Sequence, residues 1–311
     1  MRPTPPPLQS HAPAPPFRLL AISPASALVL LLCFWLVGYL ITSAVLYFII
    51  YKLPDTEPAL RIGSVLQDLI LFILPAIATA MLSTRLPATL LGLVERPRFI
   101  TVIFAFATLI ISIPAMNLLI QINQSLSLPE SMSAIEHWMR ASEANAADSI
   151  NTILGGSDVG SLIISLLIVG ILAGLSEELL FRGALQRLLM ACRIGHHGAI
   201  WLAAFIFSAV HMQFFGFVPR LLLGAFFGYL FYWSGSLWLL LFCSIIVNNM
   251  MYVISRWSAL RQGVEFSDGI GENISSAHLM FAAASAIFTV LFIIILRRSC
   301  SSSHARAKHQ V

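Results

Sequence analysis

An all-α, polytopic integral membrane helix bundle of about eight transmembrane helices is the fold this sequence predicts, on three observations. Apolar residues make up 58% of the chain, and its mean hydropathy is +0.87. Apolar runs of the roughly 20 residues that a spanning helix needs recur along it. The charged residues, only 10% of the total, fall mostly one at a time between those runs. This composition excludes a soluble domain. A net charge of +4 and a pI near 9.1 would also suit a nucleic-acid binder. Scattered Lys and Arg read instead as topology signals, and no nucleic-acid partner is expected. Cys33, Cys192, Cys243 and Cys300 lie far apart without a CxxC pair, so no disulfide framework is expected either.

Residues 1–23 read as a flexible cytoplasmic tail, with prolines at positions 3, 5, 6, 7, 13, 15 and 16, a composition that cannot build a packed core. The apolar run at 27–51 is too long for a signal-peptide core and shows no small-residue cleavage site, so it is a retained first span. Further windows fall at roughly 62–83, 99–120, 160–186, 199–217, 220–233, 237–254 and 277–296. The window at 220–233 is short, and Pro75 and Pro114 predict kinks in the second and third helices. The chain thus divides into N-terminal helices with an external loop (24–159), core helices (160–255), a final loop and span (256–297) and a polar C-terminal tail (298–311).

With the N-terminus inside, the inner segments hold Arg2, Arg18, Arg85, Arg96, Arg98, Arg187, Arg193, Arg297, Arg298, Arg306 and Lys308, and the outer ones Lys52, Arg61, Arg140, Arg220, Arg256 and Arg261. The inner excess places both termini in the cytoplasm. The segment 121–159 is acidic and suits the outside, where the pattern from Met132 to Met139 suggests an interfacial amphipathic helix.

Against this background, Glu177, Glu178 and Arg182 lie within one apolar span. Intramembrane ionisable groups are costly and mark functional sites. Counted from the inner end of each helix, Glu177 is about 15 Å deep, and His211 and Asn248 are each about 20 Å deep. Glu178 and Arg182, four residues apart, share a helix face and can pair, which lowers the cost of burying both. Glu177 points about 100° away. It is free to act as a general base, with His211 helping to orient and deprotonate a water. Asn248, carrying two amide donors, could stabilise an oxyanion.

These residues carry a resemblance. Glu177-Glu178-x-x-x-Arg182 resembles the first motif, EExxxR, of the CPBP family, which comprises the CAAX prenyl endopeptidases and bacteriocin-processing intramembrane proteases. Phe207-Ser-Ala-Val-His211 resembles its second motif, FxxxH. The surrounding text, through Pro219-Arg-Leu-Leu-Leu-Gly224 to Gly235-Ser-Leu-Trp238, is similar to bacterial members, and the likeness covers about 160–255. The third motif is usually HxxxN, whereas this chain reads Ser244-Ile-Ile-Val-Asn248.

The resemblance implies a bacterial inner-membrane, glutamate-dependent endopeptidase acting on a membrane-associated peptide or protein. Glu177 and His211 would activate water, Glu178 and Arg182 would support them, and Asn248 would supply the oxyanion donor. Ser244 stands where the family has histidine. A hydroxyl can replace an imidazole as a hydrogen-bond donor, at a cost of about 10²–10³ in rate when a donor is lost. It is a poor zinc ligand, and Cys243 points about 100° away, so a metal-independent site without cofactor is expected. The alternative is a pseudoprotease acting as a binding or immunity factor. A proton-coupled transporter is a third reading, but no inverted repeat is evident. Ser176, Ser208, Gly224 and Gly228 read as helix-packing residues, and Phe214, Phe215 and Phe217 as the cavity wall. His137, His196, His197, His278, His304 and His309 are assigned no role.

Overall fold

The computed structural model describes residues 22–52, 56–155, 159–260 and 276–308. Most of the proline-rich tail, with Arg2 and Arg18, lies outside them, as do Arg261 and His309. The described residues are helical, without a strand. The helices are α1 (Pro24–Lys52), α2 (Glu57–Ser83), α3 (Phe99–Gln124), α4 (Ser133–Ile153), α5 (Val159–Ala191), α6 (His196–Val210), α7 (Phe217–Ser234), α8 (Leu237–Leu260) and α9 (Ser276–Lys308).

Six of these are long and apolar enough to cross a bilayer: α1, α2, α3, α5, α7 together with the turn before it (Phe214–Ser234), and His278–Cys300 of α9. Each of the eight windows read from the sequence falls on a helix, yet α6 is short. The window 199–217 breaks at Val210, because Met212 takes a left-handed φ of 54° and a 3₁₀ turn follows at Phe214–Gly216. The window 220–233 gains that turn and becomes a 21-residue run. The segment from 298, read as a polar tail, continues α9 as helix to Lys308.

Helix α5 is the axis of the bundle. Every residue from Glu178 to Leu189 is buried, which requires neighbours on all sides. Phe181 alone meets Trp35 of α1, Phe72 of α2 and Phe207 of α6, with ring centroids 6.2, 6.1 and 5.1 Å away. Tyr47, Phe99, Ile287 and many other large apolar side chains remain exposed around the bundle, as a lipid-facing surface requires.

Breaks in the helical ladder fall where the sequence carries proline and around the acidic pair. In α2 the ladder widens to a π turn at Asp68–Ile73, where Leu74 N–H reaches Leu69 O just before Pro75. In α5, π turns at Leu166–Leu172 and Leu179–Gln186 flank Glu177 and Glu178. Such turns recur at functional sites. In α3, Pro114 is accommodated by Ser285 of α9, whose hydroxyl accepts from Ala115 N–H at 3.3 Å and donates to Ile111 O at 2.5 Å. One serine thereby bridges a rung of the α3 ladder.

The glycines at 224 and 228 act as expected. A Cβ at Gly224 would lie 3.2 Å from both Ala204 and Phe207, and one at Gly228 would lie 2.8 Å from Gln186 and Ile200, so α7 rests directly on α5 and α6. Outside the bundle, the amphipathic stretch expected near Met132 is the first part of the 21-residue α4. This helix is tied to α2 by Arg61, which donates to the carbonyls of Ile153 at 3.1 Å and Gly155 at 2.9 Å.

Candidate functional site

The site begins with the way α6 ends. His211 N–H turns back to Ala209 O, which leaves the Phe207 carbonyl without its helical partner. The His211 side chain fills that place, with Nδ1 at 2.8 Å from Phe207 O. A carbonyl can only accept, so Nδ1 carries a proton, and in the neutral imidazole Nε2 presents a lone pair. Nε2 faces Glu177 Oε1 at 3.6 Å. Two acceptors at this separation, each about a quarter exposed, suit a water that donates to both.

Phe207 has a second task. Its ring packs edge-on against His211 at 4.9 Å and lies under the Arg182 guanidinium at 4.4 Å, while Phe227 covers Arg182 at 5.7 Å. Arg182 Nη1 donates to Glu178 Oε1 at 2.9 Å, with both side chains 2% exposed. The first-motif arginine is therefore sandwiched between aromatic rings from α6 and α7, which suits a planar guanidinium better than an ammonium.

Glu178 Oε2 has no hydrogen-bond partner. Glu178 lines a small cavity of about 50 Å³, together with Glu177, Ser244, Asn248 and the apolar Phe207, Leu223, Phe227 and Val247. Such a space holds a water or two, and orphaned polar atoms are what ordered water satisfies. Ser244 is 5% exposed and faces Gly174, where a Cβ would stand 3.0 Å from its Oγ. Asn248 Nδ2 makes a long 3.4 Å contact to Val169 O, leaving amide hydrogen-bonding capacity for the cavity. All six candidate residues thus gather at one place: Glu177, Glu178, Ser244 and Asn248 on the cavity, His211 against Glu177, and Arg182 behind Glu178.

Other expectations are redistributed. Phe214 and Phe217 line a separate apolar cavity of about 380 Å³ with Trp138 and Met212, and Phe215 is buried under Arg140 at 4.4 Å; none of them walls the polar cavity. Ser208 donates to Phe217 O at 2.7 Å and fixes the turn into α7. Arg187, read as a topology charge, is buried over the Phe231 ring, and its guanidinium holds the carbonyls of Thr89 and Gly235. His197 Nδ1 lies 2.6 Å from Tyr229 Oη, and His196 stacks on Tyr232.

Two groups escaped the sequence reading. Asp68, 6% exposed in the π turn of α2, accepts a hydrogen bond from Ser176 Oγ at 2.9 Å, next to Glu177 in sequence. The available signal was its position as an isolated acid inside the 62–83 window. Arg220, counted as an outer charge, lies on the first turn of α7 within electrostatic reach of Glu177. Among the described residues, no three His, Cys, Asp or Glu side chains are grouped to hold a metal ion.

Comparison with curated proteins and with solved structures gave no match. Comparison with protein families matched residues 159–250 to the Rce1-like type II CAAX prenyl endopeptidases. That stretch runs from the start of α5 into α8 and contains all six candidate residues. Residues 159–250 of this polytopic membrane helix bundle are thus similar to the Rce1-like type II CAAX prenyl endopeptidases.

Proposed function

We propose that the protein is an intramembrane endopeptidase in which Glu177 and His211 activate a water for attack on a peptide bond of a membrane-associated substrate. The observation that carries this reading is the opposition of His211 Nε2 and Glu177 Oε1 beside a polar cavity enclosed by apolar helices. The water donates to both groups, one of which takes its proton as the oxygen attacks the carbonyl carbon. Negative charge then develops on the former carbonyl oxygen, where an Asn248 amide N–H and the Ser244 hydroxyl can donate. The C–N bond breaks as the abstracted proton is delivered to the departing amine. Glu178 and Arg182 hold the helix that carries Glu177.

The donor set supports a metal-independent reaction, because a serine hydroxyl and an asparagine amide are weak zinc ligands. The charge distribution supports both termini in the cytoplasm, and the motif resemblance supports a bacterial inner membrane.

Ser244 favours a second reading, a binding or immunity factor that has lost catalysis. Peptide termini in membranes from cells expressing wild type, Glu177→Ala and Ser244→His decide between the two. Termini present with wild type and absent with Glu177→Ala are the expected result. Cleavage by Ser244→His alone would instead identify the natural protein as a disabled protease.

A further inference from the structure

Only one of the two Glu178 oxygens is engaged. Oε1 takes the hydrogen bond from Arg182 Nη1 at 2.9 Å. Oε2, on a side chain 2% exposed, has no hydrogen-bond partner. A carboxylate oxygen placed so deep is costly without a donor. Two donors line the same cavity, the Ser244 hydroxyl and the Asn248 amide, and neither reaches Oε2.

The space between them is kept open by the residues that border it. Serine is much smaller than the histidine that the resembling HxxxN motif carries at this position. Opposite stands Gly174, where a Cβ would lie 3.0 Å from Ser244 Oγ and 3.6 Å from Asn248 Nδ2. The cavity measures about 50 Å³, room for a water or two, and the rest of its wall is apolar. Water is the species that fits both the size and the unmet acceptor.

Resting on the endopeptidase reading, we propose that a bound water, held between Glu178 Oε2 and Ser244 Oγ, is the second donor to the oxyanion and stands in for the imidazole that Ser244 replaces. The water accepts from the Ser244 hydroxyl and gives one hydrogen to Glu178 Oε2. Its other hydrogen points into the part of the cavity that Glu177 borders, where the reacting carbonyl enters. There it donates to the developing negative charge beside the Asn248 amide. This water is not consumed and is distinct from the attacking one, which lies between Glu177 and His211. Ser244 thus serves the oxyanion through the water and not by direct contact.

The first test is structural: density for the wild type in nanodiscs, at a resolution that shows ordered waters. A peak within hydrogen-bond distance of both Glu178 Oε2 and Ser244 Oγ is expected. No peak there overturns the proposal, whether or not the protein cleaves a peptide. The second test is kinetic, on a peptide spanning a cleavage site found from membrane termini. Ser244→Val fills the space and expels the water, so kcat should fall about 10²–10³-fold while KM holds. Ser244→Ala removes the hydroxyl but leaves the space and the Glu178 acceptor, so it should lose no more than about tenfold. Equal losses in the two variants would make the hydroxyl the direct donor and overturn the proposal. Ser244→Thr guards against a fold defect in Ser244→Val, because it keeps the hydroxyl and adds a methyl. It should behave as Ser244→Val does; wild-type activity in Ser244→Thr with the peak gone would overturn the proposal as well. Absence of wild-type cleavage with the water in place counts against the endopeptidase and takes the role of the water with it. Cleavage without the water counts against this proposal alone.

Discussion

Arg182 shows how one side chain can be both a charge and a packing element. It neutralises Glu178 and fills the space between Phe207 and Phe227, so its loss leaves a buried carboxylate and a void together. Arg182→Ala should destabilise the fold by about 3–5 kcal/mol, the usual cost of breaking one side of a buried pair. Arg182→Lys should recover little, because an ammonium does not stack as a guanidinium does. The double substitution Glu178→Gln with Arg182→Met should recover most of the loss. Thermal unfolding in detergent measures all three, and a milder effect of Arg182→Ala than of the double substitution would contradict the assignment. At this scale the sequence was most legible. Glu177, Glu178, Arg182, His211 and Asn248 stood out because polar groups in apolar spans are rare. Asp68 and Arg220 obey the same rule but were passed over, since their meaning depends on which helices neighbour them.

At the scale of elements, boundaries were harder to read than existence. Nothing in the apolar text through Phe214 and Phe217 announces that α6 stops at Val210, because the stop is made by backbone conformation at Met212. The accommodation of Pro114 by Ser285 was equally hidden, being a contact across 170 residues or more. The external α4 is an element whose behaviour depends on pH. Glu136 is held below the ordinary carboxylate range, first by its hydrogen bonds with Arg140 and then by the Leu128 N–H it accepts. A depressed folded value means that these contacts contribute fully above the unfolded carboxylate pKa and are lost as pH falls through the folded one. The start of α4 should therefore loosen below about pH 4. Trp138 fluorescence reports this change, and Glu136→Gln should remove its pH dependence.

At the scale of the whole molecule, a membrane bundle followed directly from composition, whereas the number of full-length spans did not. Hydropathy counts apolar runs, and a run can be shared between two helices, as 199–217 was. The family relationship is confined to residues 159–250, yet the site is completed from outside that stretch. Asp68 buttresses the segment before Glu177, and α4 closes over the turn that follows His211. The N-terminal helices thus take part in shaping the site as well as anchoring it.

The brevity of α6 has a consequence for the surrounding lipid. Its 15 residues span about 22 Å, against a hydrocarbon core of about 30 Å. Acyl chains bordering its C-terminal end must shorten, tilt or admit water to meet it. His211 stands at that end, so under the proposed function hydration of the scissile bond would be coupled to bilayer thickness. Turnover in nanodiscs of graded acyl length should fall as the membrane thickens, and a rate indifferent to chain length would show that protein alone, without local thinning, brings water to the site.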